Sequence, residues 1–153
     1  MSIAVELCND IAEVLNAHEF SMPIHAAFEP IPRWDIQAVR KLEVFVFPDW
    51  ETRTRKTRDL WTVESAINIG FMKHIDKATR AEETAKLMNL VDEVANFASD
   101  APLPHCPWAQ ATKFHHKLNQ RPFYFWEHIQ QYSTFTSVLS LVFMAGTKRY
   151  GRA

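Results

Sequence analysis

Glycine is scarce in this 153-residue chain, with three residues against eight prolines. Phosphate cradles are built from closely spaced glycines, and no GxGxxG, P-loop or GxSxG stretch is present, so nucleotide-binding and serine-hydrolase chemistry lack their usual framework. Cysteine is equally sparse. Cys8 and Cys106 stand far apart without a CxxC partner, which excludes a disulfide scaffold and reads as two small buried hydrophobes in a reducing compartment. No sign of charge dominates: 17 bases meet 18 acids, for a net charge of −1 and a pI of about 6.6. No global field therefore draws the chain onto nucleic acid or membrane. Long apolar runs are missing too. The greasiest stretch, 138–145, is broken by Ser140, and Glu6, Asp10 and Glu13 near the N-terminus do not suit a signal peptide. The expectation is a soluble intracellular protein with no membrane partner.

What is there has ordinary globular proportions, 47% hydrophobic and 23% charged, and a length that suits one domain over 1–153. Leu7, Ile11, Val14 and Leu15 recur at helical spacing and predict an amphipathic helix over 3–18. Pro23, Pro30 and Pro32 make the next segment extended, with a short strand at 24–28. In 41–47, Leu42, Val44 and Val46 alternate with Phe45 and Phe47, a strand that Pro48 is expected to end. Trp61, Val63, Ser65, Ile67, Ile69 and Phe71 share one face of a second strand, antiparallel to the first. Between them the charged, threonine-rich segment 49–59 reads as a hairpin arm (about 48–61) projecting beyond the core. Thr79 and Glu82 have capping-box spacing ahead of a helix over 80–98 striped by Leu87, Leu90, Val91, Val94, Phe97 and Ala98. A proline-rich loop follows, then a strand over 111–117, a turn at 119–122, an aromatic run at 123–126, and a strand over 133–144 ending before Gly146. Paired strands with helices on one face predict an α+β fold: a mostly antiparallel sheet with a long arm and two main helices on one side.

Catalytic chemistry finds little support. Seven histidines are present, as His105 beside Cys106, His115 beside His116, and isolated His18, His25, His74 and His128. None has zinc-ligand spacing, and His115 and His116 would point to opposite faces of a strand. Neither a metal nor another cofactor is expected. Cys106 lacks the helix N-terminus that lowers a nucleophile's pKa. The pairs Glu82–Glu83 and Asp92–Glu93 fall on the polar side of a helix, so a solvated face explains them better than general acid–base work. No enzymatic activity is expected. The least ordinary feature is the arm, whose Arg53, Arg55, Lys56 and Arg58 meet Asp49, Glu51 and Asp59. Contact with a neighbouring subunit or partner, a plain solvated loop, and a nucleic-acid contact are the three readings, in that order, because one net positive charge is weak for counterion-driven binding. Five tryptophans and eleven phenylalanines form a second hint. Phe123, Tyr124, Phe125 and Trp126 cannot all point inward from one strand, so they are candidate interface anchors, with a two-faced core as the competing explanation.

Along nearly its whole length the chain resembles the small neck and tail-completion proteins of tailed bacteriophages, the tail terminators in particular. The resemblance runs through the first helix and its proline-interrupted continuation, Leu42-x-Val44-x-Val46-x-Pro48, the charged segment ending in Arg58, and Ile67-x-Ile69. It continues through the linker with Asp76, the striped helix 87–97 with Glu93, and the closing Phe135-Thr136-Ser137-Val138-Leu139. The aromatic run at 123–126 and the basic stretch at 53–58 depart from the pattern. The resemblance implies a virion protein of the phage neck, present in the host cytoplasm during assembly. It would form a six-fold homo-oligomeric ring that caps the tail tube protein and meets the head-side connector, with genomic DNA passing through the lumen without sequence-specific binding. A head–tail adaptor or stopper of the same neck is the alternative within that class. A small nucleic-acid-binding module using the basic arm is the alternative from another.

Overall fold

The computed structural model describes residues 2–32, 34–35, 40–107, 109–115 and 124–148, with backbone alone at 110–115 and 146–148. Helix α1 spans Ile3–Ala17, strand β1 Ala26–Phe28, β2 Glu43–Arg55 and β3 Leu60–His74. After a 3-10 turn at Lys77–Thr79 come α2 (Arg80–Asp100), β4 (Gln110–His115), the short α3 (Trp126–Tyr132) and β5 (Thr134–Lys148). The strands form one five-stranded sheet in the order β1-β2-β3-β5-β4. All neighbours are antiparallel except β1 and β2. The α+β fold expected from the hydrophobic spacing is what forms.

The alternation in the strands sorts residues to opposite sheet faces. Val44, Val46, Val63, Ile67, Ile69, Phe71, Phe135, Leu139, Leu141 and Phe143 face the helices and pack with Leu7, Ile11 and Leu15 of α1 and Leu87, Leu90, Val91 and Val94 of α2. Phe45, Phe47, Met72 and Val138 form a second cluster on the other face, under Trp34. Two-sided burial explains why the strands read as near-continuous apolar runs. Each fully buried Leu, Ile or Phe here contributes about 1.5–3 kcal/mol of transfer free energy. At the sheet's edge, Asn16 near the end of α1 completes the pairing of β1. Its Nδ2 donates to the Ala26 carbonyl (2.9 Å) and its Oδ1 accepts from the Ala26 amide (2.7 Å).

Several expectations need correction. Pro48 does not end β2, which continues to Arg55 through a register shift between Pro48 and Glu51. The Val46 carbonyl accepts from the Glu29 amide on the outer edge (2.9 Å). Pro48, two residues on, therefore turns its missing donor to that same edge and costs the β2–β3 ladder nothing. Gly146 does not end β5; it sits opposite Thr62 in a ladder with β3 that runs to Lys148, and pairing overrides the glycine's weak strand preference. Thr79 makes no side-chain cap bond. Glu83 reaches back instead of Glu82: its Oε2 accepts from the Asp76 amide (3.3 Å) and its Oε1 lies 3.8 Å from Lys73 Nζ. The strand expected at 111–117 is observed at Gln110–His115. His116 and the turn expected at 119–122 lie outside the described residues. The helix α3 has no counterpart among the sequence expectations. It ends at Ser133, a non-glycine residue in the left-handed region (φ 51°, ψ 40°) whose amide donates to the Ile129 carbonyl.

Gly70 of β3 has a packing reason for having no side chain. A Cβ there would stand 2.7 Å from Phe45 Cε2 and 3.0 Å from Trp34 Cη2. In an open strand, Gly→Ala gains roughly 0.5–1 kcal/mol of backbone entropy, but overpacking against two rings costs about 1–3 kcal/mol. The clash wins. Gly70→Ala is expected to lower the urea midpoint, and Phe45→Leu in the same chain to recover part of the loss. A midpoint unchanged or raised in Gly70→Ala would show that the rings yield freely.

Candidate functional site

The arm arises because β2, β3 and β5 continue on one side of the sheet beyond their pairing with β1 and β4. Strand β1 pairs with β2 only at Val44–Val46. Among the described residues no strand lies beside the outer edge of β2 beyond that point. Residues 51–60 are all exposed. The register shift also changes which β2 residues share a face. Val46 stands opposite Ile69, but beyond the shift Glu51, Arg53 and Arg55 stand opposite Ser65, Val63 and Trp61. The charged residues thus take over the helix-side face, while Thr52 and Thr54 line the other face beside Glu64 and Thr62. Strand geometry gives 51–55 a reach of about 17 Å. The arm is not an isolated hairpin, since β5 pairs with the outer half of β3 as far as Leu60↔Lys148. It is a ribbon of three strands, β2, β3 and β5.

The four bases singled out from the sequence are brought together at this end, but they are not equivalent. Arg53 Nε donates to Glu51 Oε2 (3.0 Å), a same-face neighbour two residues away. Arg55 folds over its own tip, Nε to the Thr57 carbonyl and Nη2 to the Arg58 carbonyl (3.2 Å each), with its guanidinium 6.0 Å from the Trp61 ring centre. The turn is closed by the Lys56 and Thr57 amides donating to the Leu60 carbonyl (2.9 and 3.2 Å) and by Thr57 Oγ1 accepting from the Leu60 amide (3.1 Å). Lys56 and Arg58 remain exposed beside Asp59. Two of the four bases therefore hold the arm's shape. Such exposed pairs contribute little stability, at most about 1 kcal/mol each, so their effect is mainly on geometry. Apolar surface accompanies the arm: Leu60 of β3 at its tip and Met144 of β5 nearer its base are exposed on the sheet face away from the helices.

The aromatic run divides. Phe123 lies outside the described residues. Tyr124 is half-buried and stacks on Phe135, ring centres 5.7 Å apart. Phe125 lies against the His128 ring (5.4 Å), and His128 Nδ1 is hydrogen-bonded to Thr136 Oγ1 (2.6 Å). Trp126 is half exposed at the start of α3. Among the described members of the run it has the most surface to offer.

A third grouping is not apparent in the sequence, where His105 is adjacent only to Cys106. The loop after α2 folds back on α1, and the His105 amide donates to Asp10 Oδ2 (2.9 Å). His105 Nε2 approaches Glu13 Oε2 at 3.2 Å. Asp10, Glu13 and His105 each bring one ligand atom within 4.8 Å of the others. Asp10 and Glu13 carry an i, i+3 relation that places them together on α1, but nothing local in the sequence announces that a residue 95 positions from Asp10 completes the set.

Neither cysteine is set up as a nucleophile. Cys8 and Cys106 are free and fully buried. Burial pushes the Cys8 thiol up to about 12. Burial, the nearby charges of Asp10 and Glu6, and a contact with the Asp10 carboxylate that favours the thiol form do the same for Cys106. That is opposite to the shift that activates a thiol. Both should resist alkylation in the native state near pH 8 and react once urea unfolds the chain; rapid native modification would show that the helix layer opens. Unfolded thiols ionise near 9.0 and these near 12, so the native state holds more protons between those values. Stability should be insensitive to these groups below about pH 9 and fall as pH rises toward 12, less steeply in Cys8→Ala. Among the described residues no helix is long and apolar enough to cross a membrane. No protein-family model matches this chain, and no curated protein matches it.

Proposed function

We propose that this chain is a ring-forming structural subunit of a tailed-bacteriophage neck, a tail terminator that caps the tail tube protein and joins it to the head-side connector. The observation that carries this reading is that, among the described residues, no strand lies beside the outer edge of β2 at the arm. A protruding edge strand presents unpaired backbone groups that natural proteins cover or pair. The sheet's other edge, β4, is a different surface. A head-to-tail ring needs two unlike complementary patches on each subunit, and the β2 and β4 edges of the sheet would serve as them. Leu60 at the arm's tip and Met144 nearer its base add apolar area, and Trp126 gives a separate aromatic anchor.

The internal engagement of Arg53 and Arg55 favours assembly over nucleic-acid binding. Arg53 and Arg55, though exposed, are engaged within the arm, which leaves Lys56 and Arg58 against Asp59, whereas counterion-driven affinity builds from several phosphate contacts. A near-neutral subunit also suits a channel through which genomic DNA slides without being held. A head–tail adaptor or stopper would use the same edges on a different partner. Reaction with purified tail tubes distinguishes the terminator from it.

Native mass spectrometry over a broad concentration range is expected to show an assembly of about six copies, or a monomer that forms such a ring when tail tubes are added. Replacing Arg53, Arg55, Lys56 and Arg58 together by Gln should leave the circular dichroism unchanged, since surface substitutions shift stability by roughly 0.5 kcal/mol or less, yet abolish ring formation and tail joining. A wild-type chain that stays monomeric and ignores tail tubes sinks the reading. Steeply salt-dependent retardation of a DNA fragment would transfer it to the nucleic-acid module.

A further inference from the structure

The corner where the loop after α2 meets α1 holds a carboxylate in an unusual position. Asp10 is only 1% exposed, and no arginine or lysine forms an ion pair with it among the described residues. Its Oδ2 accepts from the His105 amide, but its Oδ1 is closed off from solvent without a hydrogen-bond partner. The neighbouring Cys106 thiol is a weak donor and a poor substitute for one. Buried carboxylate oxygens are ordinarily paired, hydrogen-bonded or bound to a metal. Of these, metal binding is the option the surroundings support. Glu13 stands one helical turn further along α1, and its Oε2 is 3.2 Å from His105 Nε2, both side chains being well exposed at 62% and 67%. One donor atom from each of Asp10, Glu13 and His105 falls within 4.8 Å of the other two.

The spacing suits a small divalent cation. With bonds of about 2.0–2.1 Å, neighbouring ligands of a tetrahedral zinc ion lie about 3.3 Å apart. The Glu13–His105 edge already has that length, and the Asp10 corner needs to close by no more than about 1.5 Å. The donor set is one imidazole nitrogen and two carboxylate oxygens, which favours zinc-class ions over magnesium, an ion that prefers oxygen donors and keeps its waters.

We infer that Asp10, Glu13 and His105 form a three-ligand site for a zinc-class divalent cation, with a further coordination position open to water. The ion would take one Asp10 oxygen as its buried ligand and clamp the loop following α2 onto α1. This site does not depend on the neck reading, because it lies on the helix layer and shares no residue with the arm.

The test is calorimetric titration of zinc into the chelator-treated full chain, with cobalt as a spectroscopic stand-in. Expected are uptake of one zinc per chain, ligand-field bands of low-symmetry tetrahedral cobalt, a melting temperature raised by zinc, and no competition from excess magnesium. Glu13→Gln and His105→Ala alter exposed side chains, should fold as the parent does without metal, and should each weaken zinc binding at least ~10-fold. Asp10→Asn should weaken it as well, but it also touches the loop anchor, so the two exposed positions decide. Absence of saturable zinc uptake overturns the inference. So does an affinity within ~2-fold of the parent in the Glu13→Gln/His105→Ala double variant, since it would mean that histidines elsewhere take the metal.

Discussion

Strand β3 is paired along both edges, to β5 over its entire length and to β2 over nearly all of it, and covered on both faces along its inner half. That arrangement makes its register the constraint on which the rest depends. A slip of one residue against either neighbour would carry Ile67, Ile69 and Phe71 from the helix face to the face of Trp34, and bring Gly70 out from beneath Phe45. Both faces have to be satisfied at once. The helix side accepts large aliphatics from α1 and α2, whereas the other side accepts Phe45 and Trp34 only because β3 offers no Cβ at residue 70.

Buried polar groups reinforce the same register. Asn68 of β3 and Ser140 of β5 are opposite each other, both nearly inaccessible, and Ser140 Oγ donates to Asn68 Oδ1 (2.5 Å). In any other alignment each would be left against apolar neighbours at a cost of about 1–3 kcal/mol. Thr136 plays a similar part for α3 through His128, and Asn16 for β1 through both backbone groups of Ala26. These three hydrogen bonds tie the seven-residue α3 to β5 and the three-residue β1 to α1.

Local periodicity makes most of the fold legible from the amino-acid order alone. The two faces of β2 and β3 are readable because apolar residues alternate there, and α1 and α2 because theirs recur at helical spacing. The misleading signals are single residues that resemble punctuation. Pro48 and Gly146 look like strand ends, yet each lies where the ladder tolerates it, Pro48 with its ring nitrogen toward the outer edge of β2 and Gly146 in a ladder held by β3. Helix α3 is hidden because an aromatic run at its start resembles a strand and only one of its residues, Ile129, is buried. In the candidate sites, the arm is visible as composition, but the roles of its bases are not. That Arg55 turns back on Thr57 and Arg58 depends on the turn's own geometry. The Asp10–Glu13–His105 corner is invisible for another reason: its members meet only after α2 has delivered the following loop to α1.

The register shift after Pro48 divides β2 into two different surfaces. Before it, the even-numbered Val44 and Val46 lie in the core and anchor the strand. After it, the odd-numbered Glu51, Arg53 and Arg55 occupy that same face, and the core contribution of β2 stops. A strand that merely continued its earlier parity would have turned Thr52 and Thr54 toward the helices and the charges to the far side. With the shift, the charged face lies level with the helix layer, the Glu51–Arg53 pair stiffens it, and the threonine face continues the surface that carries Leu60 and Met144. Bulges increase local twist and re-aim a strand. One extra residue thus converts an interior strand into an arm with two chemically distinct faces, charged on the helix side and threonine-lined on the other.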